Sequence, residues 1–320
     1  MMKFPSIVCA LALAIAGVRV NAQTSPYPVK PIRMLSAQFG GGSDIAARLL
    51  AGALSPRLGQ QVIVDSRVGG TIIAETAAHA APNGYTLICY SSTLWLVPLM
   101  QTKPAYDAFR DFIPITLVGS SPMVLVVHPS VPAKSVADLI ALAKAKPGEL
   151  NSATGPLGAI PHIASELFKY MAGIDIVHVA YRGVGLAVND VIGGRVQMMF
   201  PNAGAVLQHV KAGRLRVLAV GSSQPSVFFP GVPTVSAAGL PGYEAVSSYA
   251  VFAPAHTPAP LVKRLNQEMV AVLHTPDMKE KFFNTTADVV GSTPAELNAH
   301  MKSEVERLGK VIKAANIKAE

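Results

Sequence analysis

The fold is decided by residues 32–58, which read IRMLSAQFGGGSDIAARLLAGALSPRL. Residues 32–35 have the length and composition of a short buried strand. Three glycines follow at 40–42, and from Asp44 to Leu58 apolar side chains recur every three or four residues, which is helical spacing. The stretch therefore predicts a strand, a glycine-rich turn and a helix, the repeating unit of layered α/β proteins.

The same rhythm repeats along most of the chain. Helices alternate with strands that we expect at residues 62–64, 86–89, 123–127, 150–153, 177–180, 196–200, 215–220 and 246–253. Ser135 is expected to cap the helix that ends near Ala145. Short apolar strands between amphipathic helices indicate parallel-rich sheets that are covered on both faces. The predicted fold class is therefore α/β.

The rhythm restarts after Pro122, which predicts two lobes. We assign residues 23–125 and 252–320 to lobe 1, because the helical tail lacks an α/β unit of its own, and residues 126–251 to lobe 2. The chain then crosses between the lobes twice, near residues 122–128 and 249–254. Two crossing strands are expected to form a hinge that closes on a ligand.

Residues 1–22 have the composition of an export signal. Lys3 precedes an apolar run at 7–18 that is too short to span a bilayer, and residues 20–22 end it with the small residues of a cleavage site. An anchoring helix is the alternative. Cleavage after Ala22 would leave Cys89 as the one cysteine, so no intrachain disulfide is expected.

The formal charge of the chain is +8, and removing Lys3 and Arg19 with the signal leaves +6. This balance suits an anionic ligand, although it equally serves solubility. Lysine and arginine are dispersed and not interleaved with aromatic residues, so we expect no nucleic-acid partner.

Three glycine-rich turns each join a strand to a helix. At the carboxyl edge of a parallel sheet, the backbone N–H groups of such helix starts favour an anion, and glycine lets the backbone approach it closely. Each turn alone is equally well explained as loop geometry, and Ser43 and Asp44 as helix caps. The candidate ligand-binding residues of the turns are Gln38, Phe39, Gly40, Gly41, Gly42, Ser43 and Asp44, then Gly69, Gly70 and Thr71, then Thr154, Gly155, Leu157, Gly158 and Ala159.

Further polar candidates follow other strands. Hydroxyl groups cluster at Ser91, Ser92 and Thr93, where a ligand's polar groups would be met, although helix capping explains them equally well. Tyr181, Arg182 and Gly183 follow another strand, and Arg182 either faces an anion or is a surface charge. His162 either donates to a ligand or packs as a structural histidine.

Catalytic and metal-binding patterns are absent from the sequence. It contains no His-Glu-x-x-His pattern, no Gly-x-Ser-x-Gly elbow and no dinucleotide or phosphate-loop fingerprint. We therefore expect no enzyme, no metal and no cofactor.

Several segments together resemble the substrate-binding proteins of tripartite tricarboxylate transporters, the Bug family. The matching segments are YPVKPIR at 27–33, DIAARLL at 44–50, APNGYTL at 81–87, RDF at 110–112, PGELN at 147–151, GGRVQMMF at 193–200, VPT at 232–234, GLPGYE at 239–244 and GSTP at 291–294. The resemblance implies a two-lobed periplasmic binding protein of type II, expected as a monomer, that holds a small carboxylate and delivers it to a two-component membrane permease.

The resemblance also assigns parts of the site. It implies that backbone groups and ordered water at the first two glycine turns hold the ligand. The turn at 154–159, the segment 181–183, and Pro201 and Asn202 after Phe200 would face the ligand from lobe 2. A partner sensor kinase that reads the bound state, and an enzyme on the same fold, are the alternatives.

The chain departs from the family pattern at the site. The first glycine turn is one residue shorter than usual, and the second is about two shorter and lacks its asparagine. An acid that commonly follows the position of Phe200 is replaced by Pro201 and Asn202, and Ser248 stands where tryptophan is common. Loss of the acid predicts a ligand without an amine.

Overall fold

The computed structural model describes residues 27–37, 41–67 and 70–319. The predicted signal and the candidate residues Gln38, Phe39, Gly40 and Gly69 lie outside these ranges. Within them, no helix has both the length and the apolar character needed to cross a membrane.

The described strands follow the predicted rhythm with additions. They are β1 (Ile32–Ala37), β2 (Val62–Arg67), β3 (Thr86–Ser91), β4 (Phe112–Pro122), β5 (Val124–Val127), β6 (Asn151–Thr154), β7 (Val177–Ala180), β8 (Met198–Met199), β9 (Arg216–Val220), β10 (Val246–Pro254) and β11 (Asp288–Val289). The apolar pattern does not predict the long strand β4, because prolines and serines interrupt it there.

The helices cover both faces of the sheets. They are α1 (Gly42–Leu58), α2 (Gly70–Ala78), α3 (Thr93–Leu96), α4 (Val136–Ala145), α5 (Ile160–Ala172), α6 (Val184–Ile192), α7 (Ala203–Lys211), α8 (Ala259–Leu273), α9 (Pro276–Asn284) and α10 (Pro294–Ala314). The expected cap of α4 is confirmed, because Ser135 Oγ accepts a hydrogen bond from Asp138 N at 3.1 Å.

The strands form two mixed sheets that share a five-strand topology, and β11 is added at the edge of the first. The first has the order β2–β1–β3–β10–β4–β11, and the second has the order β7–β6–β8–β5–β9. In each sheet three parallel strands, β1 to β3 or β6 to β8, adjoin one antiparallel strand, β10 or β5. Each antiparallel strand is the one by which the chain arrives from the other sheet.

The two crossings meet at three backbone segments. Met123, between β4 and β5, donates its N–H to Ala245 O at 3.1 Å, and Ala245 donates to Gly221 O at 2.8 Å. Gly221 in turn donates to Met123 O at 2.6 Å. We call Met123, Gly221 and Ala245 the hinge residues.

The return crossing lies earlier in the chain than the sequence pattern predicts. The pattern places it near residues 249–254, but all of β10 pairs with β4, and residues 249–252 also pair with β3, so residues 246–251 lie in the first sheet. The crossing is therefore at Ala245. Strand pairing with distant partners decides this point, and apolar periodicity carries no information about partners.

Helix α10 contacts elements of both halves rather than lobe 1 alone. It packs on β4 and α3, and it also reaches α5. Leu297 and Leu308 of α10 belong to the same buried apolar cluster as Ile163 and Leu167 of α5. The apolar core is therefore continuous between the two halves on this face.

The start of α10 allows a simple stability test. Thr293 and Glu296 form a capping box, with Glu296 N donating to Thr293 Oγ1 at 3.2 Å and Thr293 N donating to Glu296 Oε2 at 2.8 Å. Thr293→Ala should lower the free energy of unfolding by about 1 kcal/mol, the usual cost of losing an N-cap. Urea unfolding measures this, and Thr76→Ala inside α2 is the control, since alanine there favours the helix. Equal losses in both variants would contradict the capping role.

Candidate ligand-binding site

Helix starts gather at the hinge side of both sheets. Helices α1, α2 and α3 follow β1, β2 and β3, and α5, α6 and α7 follow β6, β7 and β8. Strand β4 is parallel to β1–β3 and ends next to Met123, while β9 is parallel to β6–β8 and ends next to Gly221. The carboxyl ends of both sets of strands therefore point toward the hinge, and the helix starts flank the cleft between the two sheets.

Most of these helix starts have no side-chain cap in the described structure. Helices α4, α9 and α10, which begin elsewhere, are capped by Ser135, Thr275 and Thr293. The uncapped starts at the cleft have Gly41, Ser92, Ala159, Gly183 and Asn202 at the N-cap. Among the other described helices α8, after Pro258, also lacks a cap. First-turn N–H groups without intrahelical partners remain at the cleft, where they and the helix dipoles favour an anion.

The first glycine turn is held against β10, the strand that follows the hinge residue Ala245. A Cβ added to Gly42 would lie 2.1 Å from Tyr249 Oη, so only glycine fits this helix start. Burial raises the pKa of Tyr249, while hydrogen bonding with Ser247, Asn202 and Ser121 opposes that rise. Sequence reasoning missed Tyr249, and no local motif marked it, because it meets the turn only through the pairing of β10 with β3.

Asp44 is engaged within the first half of the protein. Its buried carboxylate accepts hydrogen bonds from Ser66 Oγ and from Arg48 Nε, the latter at 3.0 Å. Arg48 Nη2 also donates to Ser66 Oγ at 2.8 Å. Asp44 therefore ties the start of α1 to β2, and its charge is compensated. The buried Ser43 beside it accepts a hydrogen bond at its carbonyl oxygen from Cys89 Sγ.

Hydroxyl groups line the carboxyl edges of β1 and β3. Ser91 Oγ and Thr93 Oγ1 lie 2.6 Å apart. Ser36 Oγ and Ser92 Oγ are buried and have no hydrogen-bond partner among the described residues. Unpaired buried hydroxyl groups are rare and call for a polar partner, so Ser36 at the end of β1 and Ser92 at the start of α3 are equal candidates for one. Gly70 begins α2, and Thr71 beside it is half-buried.

Hydrogen bonds of Thr154 and His162 support the third glycine turn. Thr154 Oγ1 donates to Gly155 O at 3.0 Å and lies 2.6 Å from His178 Nε2. Gly158, at φ +75°, donates its N–H to His162 Nδ1 at 3.1 Å. His162 is buried, and its Nδ1 accepts this hydrogen bond from the turn. Of the remaining turn residues, Leu157 is exposed and Ala159 is the half-buried N-cap of α5.

His162, Glu166 and His178 form a cluster that no sequence pattern predicts. Their potential ligand atoms lie within 4.8 Å of one another, and the imidazole rings stack at 4.4 Å. Burial, His178 and Lys169 lower the pKa of His162 to about 4, so the ring is neutral. Because Nδ1 accepts the Gly158 N–H, Nε2 carries the proton and offers no lone pair to a metal. Glu166 is paired with Lys169 at 2.9 Å, and the cluster is best explained as support for the turn.

The remaining predicted residues divide between the cleft and the surface. Tyr181 donates its hydroxyl to Asp190 Oδ2 at 2.8 Å, and Arg182 is exposed. Gly183 is the extended N-cap of α6. Pro201 O accepts a hydrogen bond from Val124 N at 2.9 Å, and Asn202 forms an isolated antiparallel β-bridge with the hinge residue Met123. Both residues therefore lie at the hinge.

Two similar α/β halves, joined by two strands and lined at their junction by uncapped helix starts, define a two-lobed solute-binding protein of the periplasmic type. The sequence model of the family described as tripartite tricarboxylate transporter family receptor matches residues 46–317. The chain belongs to this family, whose members are periplasmic solute-binding receptors and not enzymes.

Relatives and solved structures agree with this assignment. Protein BugT of Bordetella pertussis (strain Tohama I) is 36% identical over 317 residues, which are 97% of each chain. Rpa4515 of R. palustris, solved with adipate, is 33% identical with a TM-score of 0.84, over 91% of this chain and 99% of that one. MatC of Rhodopseudomonas palustris, solved with malate, is 26% identical with a TM-score of 0.81, over 89% and 100%. The predicted family and fold class are confirmed.

Proposed function

We propose that this protein captures a small organic carboxylate without a positively charged group between its two lobes and delivers it to a tripartite tricarboxylate-type permease. The observation that carries the proposal is the set of uncapped helix starts at the hinge side of both sheets. Closure of the lobes would bury the anion against these N–H groups.

Two further observations support a carboxylate without an amine. Two structurally similar family members were solved with dicarboxylates, adipate and malate. Asp44, the acid beside the first glycine turn, already accepts from Arg48, so its charge is compensated within the protein. An ammonium group would therefore find no uncompensated carboxylate at this turn.

The domain division remains a proposal. The sequence pattern assigns residues 23–125 and 252–320 to lobe 1, and residues 126–251 to lobe 2. The sheet membership of β10 favours moving the second boundary to Ala245, which is a hinge residue. Export by a signal cleaved after Ala22 also remains a prediction, and the mass of the mature N-terminus tests it.

A matched ligand pair tests the ligand class. Adipate, malate and citrate are titrated by calorimetry and thermal shift, with adipamide as the uncharged analogue of adipate and a sugar and an amino acid as further controls. A bound carboxylate at about 100 times its Kd should add about 3 kcal/mol of stability, seen as a rise in Tm of several degrees. The proposal would be contradicted if the sugar or the amino acid binds and adipate, malate and citrate do not.

Delivery is tested separately in cells. Deleting the gene should abolish uptake of the carboxylate that the purified protein binds, and a plasmid copy should restore it. Unchanged uptake, together with loss of a transcriptional response to that carboxylate, would favour the sensor-kinase alternative instead.

A further inference from the structure

A cavity of about 360 Å³ lies beside the hinge and away from the glycine turns. In the first sheet the glycine turns follow β1 and β2, whereas the cavity is lined by residues of β4, β10 and β11. Its opposite wall is the segment 222–227, which follows β9 of the second sheet, together with Glu244. The cavity is therefore bounded by both halves of the protein, and among the described residues that line it none belongs to a glycine turn.

One face of α10 closes the cavity with a row of ionisable groups. His300, Glu304 and Arg307 recur at four- and three-residue spacing and all line it. Glu304 is 6% exposed, and Trp95 donates its indole N–H to Glu304 Oε2 at 2.9 Å. His300 Nε2 lies 3.6 Å from the same oxygen and 3.0 Å from Ser248 Oγ of β10.

Arg307 connects this row to the hinge. Its Nη1 donates to Glu244 O at 2.7 Å, and its Nη2 lies 3.7 Å from Glu244 Oε2. Glu244 directly precedes the hinge residue Ala245. Because Glu304 and Arg307 are three residues apart on one helix, their side chains lie on the same face, and the guanidinium can serve either Glu244 or an ionised Glu304.

We propose that Glu304 is a proton-operated switch of the hinge. The neutral carboxylic acid leaves Arg307 on Glu244 and so fastens α10 to the hinge. The ionised carboxylate draws the guanidinium away from Glu244 and loosens the hinge. This device acts on lobe movement through α10 and does not require contact with the ligand.

The surroundings of Glu304 bring the pKa of its carboxyl group into the physiological pH range. Burial raises the pKa of Glu304 from 4.5 to about 7, with Trp95 and Arg307 opposing the rise and Glu244 adding to it. The other ionisable groups that line the cavity are His300, whose pKa burial lowers, and Asp288 of β11, whose pKa burial raises. The segment 222–227 contributes only hydroxyl, amide and apolar side chains. As the pH rises through about 7, Glu304 loses its proton and the hinge should loosen.

Trp95, the one tryptophan of the chain, reports the proton directly. Its emission should titrate near pH 7, because its indole N–H donates to Glu304, and the transition should vanish in Glu304→Gln. Glu306→Gln is the matched control, since Glu306 lies on the same helix but its side chain is 77% exposed. This control should keep the transition. An unchanged transition in Glu304→Gln would overturn the assignment.

Hydrogen exchange of the Gly221 and Ala245 amides tests the coupling to the hinge. After correction for intrinsic exchange, protection should fall about tenfold between roughly pH 6 and pH 8, as expected for loss of one charge-assisted hydrogen bond. Glu304→Gln should stay protected at both pH values. Arg307→Gln should keep a Trp95 transition but lose the pH dependence of protection. An equal pH dependence of protection in the unchanged protein, Glu304→Gln and Arg307→Gln would overturn the switch. Because the experiment uses no ligand, that result would leave the proposed function untouched.

Discussion

Gly42→Ala should lower the free energy of unfolding by about 1–3 kcal/mol, the usual cost of forcing extra volume into a packed site. The added Cβ would lie 2.1 Å from Tyr249 Oη and 2.5 Å from Cζ, so the whole ring would have to move. Tyr249 belongs to β10, which pairs on both sides, and its ring is buried among the residues that pack α1 on the first sheet. The start of α1 would therefore shift away from Tyr249, and carboxylate affinity should fall with stability.

Gly52→Ala is the matched control on the same helix. No atom lies within 4 Å of the Cβ that this change adds, and alanine favours a helix interior over glycine by up to about 1 kcal/mol. Urea unfolding should therefore show opposite signs for the two glycines of α1. A gain in stability for both variants would show that the contact between Gly42 and Tyr249 is unimportant.

Local patterns were enough to predict most elements of the fold. The glycine turns after β1 and β6 and the N-cap at Ser135 depend on neighbouring residues, so periodicity and turn chemistry reveal them. The partner of β10 and the reach of α10 to α5 depend on contacts between residues far apart in sequence. Such contacts leave no periodic signal, which is why the pattern places the return crossing several residues too late.

The same distinction explains the candidate site. Helix starts after strands could be located from the sequence, and with them the glycine turns. The engagement of Asp44 by Ser66 and Arg48, and the stacking of His162 on His178, require knowledge of which strands are neighbours. Tyr249 and Glu304 carried no recognisable motif, because their environments are assembled from distant segments of the chain.

Glu304→Gln should change the pH dependence of stability by up to about 3 kcal/mol. The folded protein holds the Glu304 proton with a pKa of about 7, against 4.5 ordinarily, so between these values the folded state binds more protons than the unfolded state. Stability is therefore lost as the pH rises from about 4.5 to about 7, at about 1.4 kcal/mol for each pH unit, and the loss is complete above that range. Glutamine cannot ionise, so the variant lacks this loss.

The measurement is a comparison of urea unfolding at about pH 5 and about pH 8 for three proteins. Every other ionisable group contributes almost equally to each protein, so the difference between the pH dependences isolates residue 304. Glu306→Gln, which removes an exposed carboxylate from the same helix, should follow the unchanged protein. Parallel pH dependences for the unchanged protein and Glu304→Gln would mean that the buried carboxyl ionises at little cost. In that case the polar cavity around His300, Ser303 and Arg307 would hydrate the carboxylate well enough to offset its burial.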